Sequence, residues 1–263
     1  MAHKVFIVTG ASKGLGAAIA KYLLAQSHKV VLAARSAEPL ESLKRAYPGQ
    51  VEYVAGDMAD AEMPGKLTGQ AVKSFGKLDG LVINHGLLVS EKFEKTSIDT
   101  FKKLYDVNVF SCVVMVGKCL FINSSIYNFV KQTTQAQAAI PELRKSQGCI
   151  VWISSGAART AYMGWSAYGS SKAVLNSLST HLAFEDKDIT SVSVEPGRVD
   201  TDMQEQIRSS GEETMDKAQY DSFKEAYEQG QLLKPEQPGH VIAKFVATPQ
   251  KSLSGQNLKY VQS

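Results

Sequence analysis

Tyr168 and Lys172 stand four residues apart in the run Tyr168-Gly169-Ser170-Ser171-Lys172. On a helix, positions i and i+4 share one face. An ammonium beside a phenol stabilises the phenolate, and bringing a tyrosine pKa from near 10 toward 7 represents about 4 kcal/mol of differential interaction. Such a shift matches a proton donor to the pH at which it works. Taken alone, the pair is weak evidence and reads more readily as an ordinary surface contact of a helix. Ser154 and Ser155 precede it, and adjacent serines at a strand end face different ways, so one of the two is expected to share a site with the tyrosine.

A second chemistry is written near the start of the chain. The apolar run Val5-Phe6-Ile7-Val8 leads into Thr9-Gly10-Ala11-Ser12-Lys13-Gly14-Leu15-Gly16, and a helix is expected to open at Ala17. Glycines between a strand and a helix let the backbone turn tightly and approach a pyrophosphate, while the helix N-terminus directs N–H groups at the anion. A glycine-rich turn also serves plain chain reversal, and the G-x-x-x-G-x-G spacing is not the common G-x-G-x-x-G. The second strand ends Ala33-Ala34-Arg35-Ser36, without the acid that would bind ribose hydroxyls. Arg35 is suited to a 2′-phosphate, and Lys13 offers a second positive charge. Basic residues at both positions favour NADPH over NADH.

The elements that must position these groups are legible as alternating runs. Val30–Ala34, Val51–Val54, Leu81–Ile83, Ile150–Ile153 and Thr190–Val194 follow the first strand, separated by stretches of helical length and period. Continuous apolar strands alternating with helices imply a parallel sheet buried on both faces. The fold class is therefore α/β, a single Rossmann-type doubly wound domain over residues 1–263. About seven strands are expected, with ligands beyond their carboxyl ends.

Composition narrows the partners. The 263 residues are 44% apolar and 21% charged, with a net charge of +3. That charge is small and scattered, which argues against a nucleic-acid partner. No apolar run reaches the roughly 18 residues of a membrane helix, and no signal peptide or peroxisomal address is read at either end. Three cysteines, Cys112, Cys119 and Cys149, without a C-x-x-C pair, read as free thiols in a reducing cytoplasm rather than disulfide or metal ligands. No metal is expected.

The glycine turn, Asn84-His85-Gly86, Asn108, Ser155, Tyr168-x-x-x-Lys172 and Pro196-Gly197-Arg198-Val199-Asp200-Thr201 occur in this order. Together they closely resemble the classical short-chain dehydrogenase/reductase family over essentially the whole chain. The stretches Ser154–Ala158, Gly164–Tyr168, Asp200–Gln204 and Gly230–Pro235 are similar to its sepiapterin reductase and benzil reductase-like branch. The resemblance implies roles. Ser155, thirteen residues before Tyr168, hydrogen-bonds the substrate carbonyl, Tyr168 donates the proton, and Lys172 holds the nicotinamide ribose and lowers the tyrosine pKa. Asn108 positions a relay water. Gly10, Ser12, Lys13, Gly14, Leu15 and Gly16 cradle the pyrophosphate, with Arg35 and Ser36 at the 2′-phosphate and Asp57 at the adenine. Asn84, Gly86, Pro196, Gly197, Val199 and Thr201 border the rest of the NADP(H). His85 stands where the family most often has alanine and reads as structural.

The implied activity is NADPH-dependent reduction of a ketone, with vicinal dicarbonyls (a benzil-like diketone or a pterin side chain) as the expected substrates. Tyr162 and Trp165 are expected to line the substrate pocket or to pack under a loop, and residues 203–233 to form a mobile lid. The alternatives are an NADP-sensing protein without turnover, and an alcohol dehydrogenase running in the oxidative direction. One departure stands out. Pro141 follows Asn108 by 33 residues, where relatives need about thirteen, so residues near 117–136 are extra. Gly117-Lys118-Cys119 is encodable by a 5′ splice-site sequence, and the stretch reads either as a translated intron or as an insertion. An insertion puts the expected homodimer and the Asn108 relay in doubt.

Overall fold

The computed structural model describes residues 3–117 and 139–260. Nearly all of the extra stretch, with Cys119, lies outside the described residues. Among the described residues seven strands run in chain order as β1 (Val5–Thr9), β2 (Lys29–Ala34), β3 (Val51–Ala55), β4 (Gly80–Ile83), β5 (Cys149–Ile153), β6 (Thr190–Glu195) and β7 (Asn257–Lys259). The helices that bear on the site are α1 (Gly14–Ala25), α2 (Ala37–Ala46), α3 (Met63–Phe75), α4 (Ile98–Tyr105), α5 (Ser111–Val116), α6 (Ala139–Ser146), α7 (Ser166–Glu185), α8 (Asp202–Ser210), α9 (Lys217–Glu228) and α10 (Glu236–Ala247).

Every strand pair is parallel, in the order β3-β2-β1-β4-β5-β6-β7. The doubly wound sheet expected from the alternating runs is thus present, and its order reverses between β1 and β4. A crevice opens there at the carboxyl ends of the strands. The alternation within β1 shows why its residues are apolar throughout. Phe6 and Val8 join a core with Ile19 and Leu23 of α1, Leu40 of α2 and Ile242 of α10. Val5 and Ile7 face the other way, toward Leu67 of α3, Met115 of α5 and Leu143 of α6. Period-two alternation sends neighbouring side chains to opposite faces, and both faces are covered. Each fully buried Val, Leu or Ile contributes roughly 1.5–3 kcal/mol, so these two layers fix the sheet on which the site is built.

A third apolar cluster lies above the sheet. It joins Leu88, Trp165 and Tyr168 to Ile207 of α8, Met215, and Tyr220 and Phe223 of α9. The segment expected to be a lid is therefore packed as a cap. Its two ends meet in a parallel bridge between Val199 and Leu233, with Leu233 N donating to Arg198 O and Asp200 N donating to Leu233 O.

Candidate active site

The first turn of α1 begins at Gly14, earlier than the Ala17 expected from helix propensity. Tertiary contacts override that propensity here. Gly10 and Gly14 have φ of +62° and +56°, a left-handed conformation that glycine adopts without steric cost. Gly16 is required for space, because a Cβ there would stand 2.3 Å from Gly10 O and 2.5 Å from Asn84 Nδ2. Asn84 closes the same corner, its Nδ2 donating to Thr9 O at 3.0 Å and Gly10 O at 3.1 Å. No side chain caps α1 and no acid stands in its first turn. Its leading N–H groups are thus left facing the carboxyl edge of the sheet, the arrangement an anion needs.

The charged residues around this turn divide. Arg35 and Ser36 are exposed just past β2, and Arg35 forms no ion pair among the described residues. Lys13 instead pairs with Asp202 at the start of α8, and the lysine holds that carboxyl below its ordinary range. Both partners are exposed, so the pair is solvent-screened and readily exchanged. Asp57 lies exposed beyond β3, its Oδ1 accepting from Ala59 N at 3.0 Å.

Tyr168, Lys172 and Ser155 converge where β5 meets α7. Lys172 is 3% exposed, and its Nζ donates to Ile153 O at 2.8 Å. Burial lowers its ammonium to about 8. Gly86 makes room for it, since a Cβ there would lie 3.3 Å from Nζ. The Lys172 ammonium stands 5.9 Å from the centre of the Tyr168 ring. The depressed tyrosine pKa expected from this neighbour is corrected by the structure. Burial pushes the Tyr168 phenol above its ordinary value, while the Ser155 hydroxyl beside it acts in the opposite direction. Desolvation penalises the phenolate, and the ammonium is turned toward Ile153. Ser155 Oγ also accepts from Ala157 N at 3.2 Å, whereas the adjacent Ser154 is buried against the Lys172 carbonyl. The two serines do part at the strand end.

Asn108 is fully buried in a π-helical turn, Asp106–Phe110, that joins α4 to α5. Its Oδ1 accepts from Leu87 N at 2.7 Å, and its Nδ2 donates to Leu87 O at 2.9 Å and Ser171 Oγ at 3.0 Å. The side chain expected to hold a water is thus committed to tying the loop after β4 to α7. His85 lies in the same floor. Its Nδ1 is 2.8 Å from Thr9 Oγ1 and its Nε2 2.7 Å from Ser111 Oγ. Because Ser111 donates to Val107 O at 2.6 Å, it accepts from Nε2–H, and Thr9 then donates to an unprotonated Nδ1. Burial lowers this imidazole to about 3, so the ring is a neutral cross-brace, as the structural reading expected.

The aromatic residues expected at the substrate are packed together. Trp165 meets Tyr168 edge-on at 5.8 Å between centroids, and Phe223 of α9 lies 5.6 Å from Trp165. Tyr162 lies 4.8 Å from Trp165. Both also border an outer groove of about 800 Å³ with Phe93 and Met163, but Ser155 and Tyr168 do not line it. Val199 is buried at the cap's hinge; Thr201 touches the glycine turn, its Cγ2 3.0 Å from where a Gly14 Cβ would be. Pro196 and Gly197, the latter with φ +86°, turn the chain out of β6. Met203 was missed by sequence reasoning. Its Sδ accepts the Tyr168 hydroxyl at 3.9 Å, and no sequence signal marks a methionine in a polar amphipathic helix as a site residue.

A doubly wound sheet, a glycine turn at its switch point and a tyrosine-lysine pair at the neighbouring strand end define a dinucleotide-binding oxidoreductase. The sequence profile of the short chain dehydrogenases matches residues 4–212. An uncharacterised oxidoreductase of Saccharomyces cerevisiae is 37% identical over 98% of this chain and 95% of its own length. A benzil reductase ((S)-benzoin forming) of the same yeast is 34% identical over 98% of this chain and 95% of its own length. A crystal structure of a short chain dehydrogenase/reductase from Saccharomyces cerevisiae superposes with a TM-score of 0.89 at 36% identity, covering 98% of this chain and 96% of that one. The chain belongs to the short-chain dehydrogenase/reductase family, enzymes that use a nicotinamide cofactor. No described helix is long and apolar enough to cross a membrane.

Proposed function

We propose that this protein is an NADPH-dependent carbonyl reductase whose substrates are vicinal dicarbonyls. The observation that carries the reading is the convergence of Tyr168 and Ser155 at the end of β5, over a buried Lys172. What supports a dinucleotide there is the cradle of Gly10, Ser12, Lys13, Gly14, Leu15 and Gly16, whose tight approach only glycine permits at position 16. Arg35, exposed just past β2 and in no ion pair among the described residues, favours the 2′-phosphorylated form. When bound, NADPH supplies the hydride. Asp57, Asn84, Gly86, Pro196, Gly197, Val199 and Thr201 are the further residues that would border it.

The chain's own groups handle the proton. A phenol whose pKa is raised by burial stays protonated at neutral pH and is a competent donor to a developing alkoxide. Ser155 donates a hydrogen bond to the same oxygen. Lys172 carries a positive charge beneath the site at neutral pH, which favours negative charge developing above it. Asn108 and His85 hold the floor rigid. The dicarbonyl substrate class is carried over from the benzil reductase relative. The test is steady-state oxidation of NADPH by the purified protein with diketones, quinones and pterins. Turnover of benzil or butane-2,3-dione is expected, silenced in Tyr168→Phe. NADPH binding without turnover of any member of the panel would refute the reading in favour of a sensor.

A further inference from the structure

The hydroxyl of Tyr168 already has a partner. Met203, in the first turn of α8, places its thioether sulfur 3.9 Å from that oxygen. A carbonyl about to receive the proton must sit roughly 2.6–3.2 Å from the same hydroxyl. The sulfur and the carbonyl therefore compete for one place, and the thioether must swing out before a substrate can react. Such a swing is inexpensive. Methionine has three rotatable bonds and its sulfur is a weak acceptor that a carbonyl oxygen displaces readily.

The helix that carries Met203 is less free to move. Ile207, one turn on, is buried in the cluster beneath the cap with Tyr220, Phe223 and Trp165. Gln206 Nε2 donates to Leu88 O, and Tyr220 donates to Arg208 O at 2.8 Å. Once the cap is closed over a substrate, room at the reacting carbonyl is thus created by the side chain at 203 rather than by a further shift of α8. From this we infer that Met203 is a specificity-determining residue. It is a displaceable plug whose bulk sets the size of the group tolerated beside the reacting carbonyl. This deepens the reading of Tyr168 as proton donor and rests on it.

The test uses the full-length protein with NADPH and two diketones, benzil with bulky flanks and butane-2,3-dione with small ones. kcat and KM are measured for each in Met203→Ala, Met203→Leu, Met203→Phe and Tyr168→Phe. Alanine is expected to raise the benzil-to-butanedione ratio of kcat/KM by about tenfold, and phenylalanine to lower it by about tenfold. Leucine keeps the volume without the sulfur and is expected to hold the ratio within about twofold. If alanine misfolds, the phenylalanine ratio alone decides. The assignment is overturned if the ratio stays put in a folded alanine or phenylalanine variant, or if leucine shifts it as far as alanine does. Activity surviving in Tyr168→Phe would instead overturn the proton-donor reading. A silent Tyr168→Phe beside an unmoved ratio sinks Met203 alone.

Discussion

Replacing Lys172 by methionine would separate what this residue does for the reaction from what it does to the fold. In the unfolded chain a lysine titrates near 10.5, whereas burial lowers it to about 8 in the native protein. Between those values the unfolded chain binds more protons, so native stability rises with pH through this window and the contribution is lost as pH falls to 8. Integrated over the shift, carrying the buried ammonium costs the native state about 3 kcal/mol at pH 7, on the order of 1 kcal/mol by pH 10. Methionine removes that pH-dependent cost and fills similar volume, but leaves Ile153 O without its donor, a penalty of about 1–3 kcal/mol that does not titrate. The absolute difference at pH 7 is therefore small. Its pH dependence is not, because the wild type should gain about 2 kcal/mol on the variant between pH 7 and pH 10. Urea unfolding of both proteins at pH 7, 8, 9 and 10, with no cofactor added, reads this directly. Turnover should be lost in the variant at every pH. Parallel stability profiles would mean that Lys172 is not held in a desolvated, charge-averse position, and the electrostatic role given to it would fall.

Other parts of the structure carry their own tests. Arg35→Asp should weaken NADPH binding by more than tenfold while sparing NADH, as read by fluorescence titration; an unchanged preference would mean that Arg35 does not meet the 2′-phosphate. His85 titrates near 6.5 when unfolded and about 3 when folded, so its contribution to stability is present above 6.5 and lost as pH falls. The slope is about 1.4 kcal/mol per pH unit in that window. In His85→Leu, Ser111 keeps its carbonyl partner at Val107 and the Thr9 hydroxyl turns to Val82 O, and that part of the acid profile should flatten in urea melts at pH 7, 5.5 and 4. Residues 203–233 are proposed to open for substrate entry, so their amides should exchange faster than those of β1 and β4 and slow when NADPH is added. Protection equal to the sheet in both conditions would rule out a mobile lid.

The parts of the molecule that were readable in the chain are those with a strict local grammar. Strands buried on both faces favour continuous apolar runs, so β1, β2 and β5 were evident from Val5–Val8, Val30–Ala34 and Ile150–Ile153, while β6 is buried throughout yet alternates Ser and Val. Glycines that clash when given a Cβ, such as Gly16, and side chains spaced one helical turn apart, such as Tyr168 and Lys172, are equally explicit. β7 was not visible. It is three residues long, at the sheet edge and largely exposed, so Asn257-Leu258-Lys259 needs no apolar pattern. The π-turn at Asn108 was hidden for another reason. It is fixed by where Leu87 and Ser171 lie, contacts 21 and 63 residues away in sequence. The rise in the Tyr168 pKa escaped because spacing reveals a neighbouring charge but not desolvation. Met203 was illegible because its significance comes from the cap docking on the phenol.

The bridge between Val199 and Leu233 gives the cap a property of its own. The chain between these two residues leaves and rejoins the sheet domain at one point, so its end-to-end separation is fixed by backbone pairing rather than by what lies between. Lengthening such a closed excursion adds little entropic cost, about 0.6 kcal/mol for a doubling. Residues 200–232 therefore behave as a cassette plugged into a constant socket. Exchanging that cassette between relatives, with Thr201 and Asp202 kept where they meet the glycine turn, is a route to new substrate ranges that leaves Lys172 and the buried floor untouched.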